Sequence, residues 1–149
     1  ILRRYLEQSG SQIEASNLDK NYAIFQACEA QALKLGVPVS MALVDKAGHL
    51  FSFYRMAGAL LVSENLAQKK AYSAVAMKTD THRLSELVQP AADLYQLEAL
   101  TDGQIVTFGG GYVIRDAAGE VIGGLGVSGG AVEEDMAIAQ KGLEKLKEI

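Results

Sequence analysis

Apolar and polar positions along this chain follow two different periods, and the changes from one to the other mark its elements. From Asn17 the residues Leu18, Tyr22, Phe25, Cys28, Ala32 and Leu35 recur at three- and four-residue spacing until Gly36 and Pro38 stop the pattern. This predicts a first helix with Cys28 on its packed face, acting as a small buried hydrophobe rather than a nucleophile. Two short runs come next, at 39–44 and 50–54, joined by Asp45-Lys46-Ala47-Gly48, whose glycine suits a tight antiparallel hairpin. A second helix is expected from Ser63, as its N-cap, to Met77. Thr79-Asp80-Thr81 forms a further capping cluster, Gln89-Pro90 ends the segment that starts there, and residues 93–97 add one turn. Three more strands are expected at 104–108, 112–115 and 120–127, before a closing helix over 132–147.

The last two strands are joined by Asp116-Ala117-Ala118-Gly119, again of hairpin length. The expected class is therefore α+β, with a central, mainly antiparallel five-stranded sheet flanked by helices. Residues 1–16 stand apart. Ile1, Leu2, Tyr5 and Leu6 make a short stripe before the polar Ser9-Gly10-Ser11-Gln12, which reads as an appendage or linker end to a single domain over 17–149.

Composition narrows the chemistry. The 149 residues carry 14 Lys+Arg against 18 Asp+Glu, and this acidic balance argues against nucleic acid as a partner. One Cys and two His exclude an intrachain disulfide and a Cys-rich zinc cluster. No apolar stretch approaches the ~20 residues that span a bilayer, so no membrane role is expected. The chain begins at Ile1 rather than Met, which points to a trimmed start and leaves a removed signal peptide open. The cytoplasm is the default location.

Two glycine clusters stand out. Gly124-Leu125-Gly126-Val127-Ser128-Gly129 fits GxGxxG between a strand and a helix, but no second parallel strand comes after it, and Glu133, Glu134 and Asp135 would repel a pyrophosphate. These glycines instead let backbone approach a strand, a ligand or another subunit closely. Gly109-Gly110-Gly111 is either a flexible turn or a place where a ligand needs room.

Lys70 shares a helix face with Leu66, Ala67, Ala74 and Met77, so it must snorkel, pair with a carboxylate of the 133–135 run, or hold a ligand anion. Lys69 points to solvent. His49 and His82 each lie beside a turn, and neither belongs to an HxxxH or HExxH spacing. No Ser-His-Asp order is supported by a strained nucleophile elbow at Ser128, so the residues alone point to no hydrolase.

Taken in order, these pieces resemble the GlcG/HbpS-like family, which includes the C-terminal part of PduO-type corrinoid adenosyltransferases and OrfY-like proteins. The resemblance rests on Val44-Asp45 with Gly48-His49-Leu50, Arg55-Met56 with Gly58-Ala59, and Lys70-Ala71 with Ser73-Ala74. It continues through Gln89-Pro90 with Leu94-Tyr95, Phe108 to Gly111, and the 123–130 segment with Glu133 and Asp135. It implies a profilin-like fold, homo-oligomers that are commonly octamers, and a haem or related corrinoid ligand. It also implies a site at the glycine loops and the lysine helix. There Arg55 and Lys70 would hold propionates, Gly109, Gly110, Gly111, Gly129 and Gly130 would admit the ligand, and His49 would ligate iron.

Two departures bear on that site. Tyr112-Val113 stands where the family often has a small or apolar residue and then proline. Some members use a first-helix histidine on the iron, whereas this chain has none before His49, leaving His49, His82, Met56, Met77 or another subunit. The expected function is a non-enzymatic cofactor-binding homo-oligomer, auxiliary to a catabolic operon of the diol or glycolate type. The alternatives are a small-molecule enzyme or auxiliary factor acting on an acid or aldehyde through Lys70, and an assembly module without ligand.

Overall fold

The computed structural model describes residues 18–149, so the expected appendage lies outside the described residues. Helix α1 (Leu18–Leu35) leads into the hairpin β1 (Ser40–Asp45) and β2 (Leu50–Arg55), then α2 (Leu61–Met77). A 3-10 helix (Thr81–Val88) and the short α3 (Leu97–Leu100) precede β3 (Gly111–Arg115), β4 (Val121–Ser128) and α4 (Val132–Glu148). The sheet runs in the order β2-β1-β4-β3 with every pairing antiparallel. The α+β class holds, with helices on both faces.

Among the described residues the sheet has four strands, not five. Residues 104–107 belong to no strand or helix, and a bond there goes to a helix: the Val106 amide donates to Ser73 Oγ at 2.8 Å. The edge of β3 where a fifth strand would pair is capped by side chains. Thr81 Oγ1 accepts the Gly111 amide at 3.0 Å and Asp80 Oδ1 accepts that of Val113 at 3.0 Å. Those bonds satisfy amides that an added strand would use, and they blunt the edge. The turn expected at 93–97 forms over residues 93–96 and runs directly into α3.

Helix α2 begins at Leu61 rather than at a Ser63 cap. Ser63 is buried in the first turn, where its hydroxyl donates to the Leu60 carbonyl at 2.5 Å and meets Ser40 Oγ at 2.8 Å. A buried hydroxyl needs such partners more than a solvated cap does.

The core has two compartments. Between α1, α4 and the sheet lie Ile24, Phe25, Cys28, Met41, Leu43, Leu125 and Ile138. Between α2 and the sheet the residues are small: Ala42, Val44, Ala67, Ala71 and Val75. Smallness there is a matter of approach distance. A Cβ on Gly126 would collide with the Ala67 carbonyl, and one on Gly124 would lie 2.6 Å from the Ala71 carbonyl. The glycines of the GxGxxG stretch therefore let a helix lie on the sheet at backbone distance. Along α1, Phe25, Cys28 and Ala32 are buried as expected, while Leu18, Tyr22 and Leu35 are exposed.

Candidate functional site

Lys70 is the largest fully buried side chain among the described residues. Its Nζ donates to Asp135 Oδ2 at 2.9 Å and to the Val127 carbonyl at 2.9 Å. The ring of Phe108, itself 39% exposed, lies over the ammonium with 5.1 Å to the centroid, in cation–π geometry. Asp135, in the first turn of α4, takes the Gly130 amide on Oδ1 at 2.9 Å. Burial dominates the electrostatics of the pair. It pulls the Lys70 ammonium below the usual lysine range and pushes the Asp135 carboxyl above the usual carboxylate range, with the partner charges opposing both shifts.

The two glycine loops close around this pair. A Cβ on Gly110 would stand 2.7 Å from Lys70 Nζ, and one on Gly111 would run into the Lys70 carbonyl. A Cβ on Gly109 would meet Met136 Sδ at 2.5 Å, and one on Gly129 the Pro38 carbonyl at 2.5 Å. The structure thus brings together Lys70, Gly109, Gly110, Gly111, Gly129 and Gly130. The room left by their missing side chains is filled by protein.

Arg55 and His49 are placed elsewhere. Arg55, at the end of β2, pairs with Glu64 at 3.4 Å and donates to the Ala59 carbonyl at 3.1 Å. His49 is exposed at the opposite end of the same strand, about 20 Å away at the rise of an extended chain. His82 is half-buried with its ring centroid 6.0 Å from that of Tyr112. Among the described residues no cluster of three His, Cys, Asp or Glu side chains could hold a metal ion.

An open concavity lies on the other face of the sheet. Helix α1 and strand β2 enclose a groove of about 560 Å³, walled by Tyr22, Phe25 and Phe53 with Glu29, Ser52 and Tyr54. The register places Tyr54 opposite Met41, on the α1 side, and its hydroxyl donates to Glu29 Oε1 at 3.2 Å. Burial, Glu29 and the neighbouring Tyr22 raise the Tyr54 phenol above its ordinary range. Tyr22 was legible in the sequence as part of the α1 stripe, but the pairing of Tyr54 with Glu29 spans 25 residues and carried no local signal.

Fold and site together define an α+β protein with a glycine-lined, helix-covered sheet, a sealed lysine–carboxylate pair and a separate aromatic groove. A family model described as "Haem degrading protein HbpS-like" matches residues 17–144, and the chain belongs to that family. The corrinoid adenosyltransferase PduO of Salmonella typhimurium is 54% identical over 120 residues, 80% of this chain and 35% of the relative. The chain therefore spans about a third of that relative's length. A crystal structure of a PduOC:haem complex is 48% identical with a TM-score of 0.84, covering 89% of this chain and 95% of the other. The ORFY protein of Klebsiella pneumoniae is 33% identical with a TM-score of 0.86, covering 93% and 95%. No helix among the described residues is long and apolar enough to cross a membrane.

Proposed function

We propose that this chain is a haem-binding module that works as a homo-oligomer, and that the macrocycle lies in the groove between α1 and β2. The observation that carries the reading is the match to the PduOC:haem complex over nearly the whole described chain. The groove suits a flat apolar ring with a polar rim: Phe25 and the ring of Tyr22 supply apolar wall, and the Tyr22 and Tyr54 hydroxyls and Glu29 supply oxygen atoms at the mouth. A phenol oxygen is an established axial donor to haem iron, so Tyr22 and Tyr54 compensate for the absence of a first-helix histidine. When bound, haem would supply redox and ligand-binding chemistry that the side chains lack.

Lys70 supports this division of labour. Its ammonium is already held by Asp135 and Val127 beneath Phe108, so a small acid or aldehyde would have to displace all three to reach it. The pair braces the two glycine loops, and the anion-holding enzyme reading is correspondingly weaker. A corrinoid ligand is supported by the name of the PduO relative alone.

Titrating haem into the apo-protein tests the reading. A saturable, stoichiometric Soret shift that weakens in Tyr54→Phe and Tyr22→Phe, and persists in Lys70→Met and His49→Ala, is expected. Loss in the Lys70 or His49 variants with retention in both tyrosine variants would move the ligand to the glycine loops or the hairpin turn. A parallel titration with cobalamin distinguishes the corrinoid.

A further inference from the structure

Two hairpin turns and the end of α2 meet at one end of the sheet, on the α2 face and so opposite the α1–β2 groove. Strand β1 ends at Asp45, paired with Gly123 of β4, and β3 ends at Arg115, paired with Val121 of the same strand. The turns that follow β1 and β3 therefore stand on either side of β4, about 10 Å apart at the spacing of neighbouring strands. Helix α2 packs on all three strands, and its C-cap Lys78 reaches the same corner.

A cavity of about 560 Å³ lies there. Lys46, Lys78 and Arg115 line it against a single carboxylate, Glu120, with Val75 and Val121 as apolar lining. Three cations from three elements thus converge in a chain whose net charge is −4. Countering the helix dipole accounts for Lys78 alone. Among the described residues none of the three forms an ion pair. The aspartates of the two turns are engaged by their own backbone: Asp45 Oδ1 accepts the amides of Ala47 and His49 at 2.9 and 3.0 Å, and Asp116 Oδ1 those of Ala118 and Glu120 at 2.9 Å.

The cations are also held in a specific way. Arg115 Nη1 donates to the Gly119 carbonyl at 2.9 Å and Nη2 to the Lys78 carbonyl at 3.1 Å, which fixes the guanidinium and leaves it further N–H donors. Lys78 has φ 53° and ψ 37°, the left-handed cap conformation that glycine ordinarily takes. A lysine is strained there where glycine is not, and strain of this kind gathers at sites where a side chain has a task.

We infer that this cavity binds the dianionic phosphate group of a small organic phosphate, with Arg115 as the planar donor and Lys46 and Lys78 as point charges. Charge selects the ligand: three cations less Glu120 leave two positive charges, which match a phosphomonoester dianion and exceed a carboxylate. The volume is larger than a bare phosphate fills, and Val75 and Val121 offer an apolar substituent a surface to rest on. The site shares no residue with the α1–β2 groove and does not depend on what that groove holds.

Calorimetric titration of the whole chain at low ionic strength tests it, with phenyl phosphate, inorganic phosphate and acetate as probes. Phenyl phosphate is expected to bind most tightly, inorganic phosphate less so and acetate least. Lys46→Gln and Lys78→Gly should each lower phenyl phosphate affinity about tenfold, and Glu120→Gln should raise it about threefold. Lys78→Gly should also melt at a higher temperature than the wild type, because glycine relieves the left-handed cap, so a damaged fold is not the source of its lost affinity.

No heat from either phosphate, or affinity unchanged in both lysine variants, overturns the site. Acetate bound as tightly as phenyl phosphate overturns the dianion. Inorganic phosphate bound as tightly as phenyl phosphate overturns the organic part of the ligand.

Discussion

Lys70 and Asp135, 65 residues apart, meet at 2.9 Å with side chains 0% and 2% exposed, and join α2 to the first turn of α4 beneath two glycine loops. Removing one partner strands the other charge in the interior. Lys70→Met and Asp135→Asn are each expected to cost about 3–5 kcal/mol of unfolding free energy. The double variant is expected to cost less than their sum by about 1–3 kcal/mol, because neither charge is then left alone. Urea denaturation of the four proteins measures the cycle, and simple additivity would show that the pair is not coupled.

The same pair sets a pH dependence of unusual sign. Asp135 is raised above 3.8 in the folded state, so its contribution is fully present below 3.8 and is lost as pH rises through the raised value. Lys70 is lowered from 10.5, so its contribution is present above 10.5 and is lost as pH falls through the lowered value. The stability of the wild type relative to Asp135→Asn should therefore grow as pH falls from 7 towards 4. A difference that shrinks with acid would mean that Asp135 is instead depressed by its partners.

Much of this arrangement was legible in the sequence because its signals were local or doubly marked. The first helix, both hairpins and α4 came from periodicity and turn glycines, and Lys70 on a packing face beside a later acidic run already offered a buried pair. The fifth strand failed because residues 104–108 have strand composition, while the acceptors that satisfy them, Ser73 among them, lie on a helix 33 residues away. The glycine loops were harder for a different reason. A glycine that admits a ligand and one that admits a helix backbone look the same until the neighbour is known, and at Gly124 and Gly126 the neighbour is α2. The groove was missed because its two walls carry no shared motif.

That contact makes Gly126 a sharp test of the helix–sheet distance. A methyl there would strike the Ala67 carbonyl and come within 2.6 Å of the Ala71 nitrogen, both backbone atoms with little freedom to yield. Gly126→Ala should cost about 3 kcal/mol or more, at the upper end of overpacking. Gly119→Ala is the control: its Cβ would meet open space, and only the φ of +85° is strained, at about 1 kcal/mol. Equal costs in chemical denaturation would mean that α2 can lift from the sheet without penalty.

Cys28 offers a probe of global opening that touches neither the groove nor the lysine pair. It is fully buried in the α1–α4 compartment, and burial pushes its thiol up to about 12, against which hydrogen bonds from the Gly142 backbone and its own pull only weakly. Because the thiolate is the reacting species, the folded protein should resist an aromatic disulfide reagent at pH 8 and label only through unfolding. The labelling rate should rise with urea in parallel with the unfolded fraction. It should also rise in Gly126→Ala and Lys70→Met in proportion to their loss of stability. Fast stoichiometric labelling of the native protein would place Cys28 at an accessible surface and contradict the packing of α1 against α4.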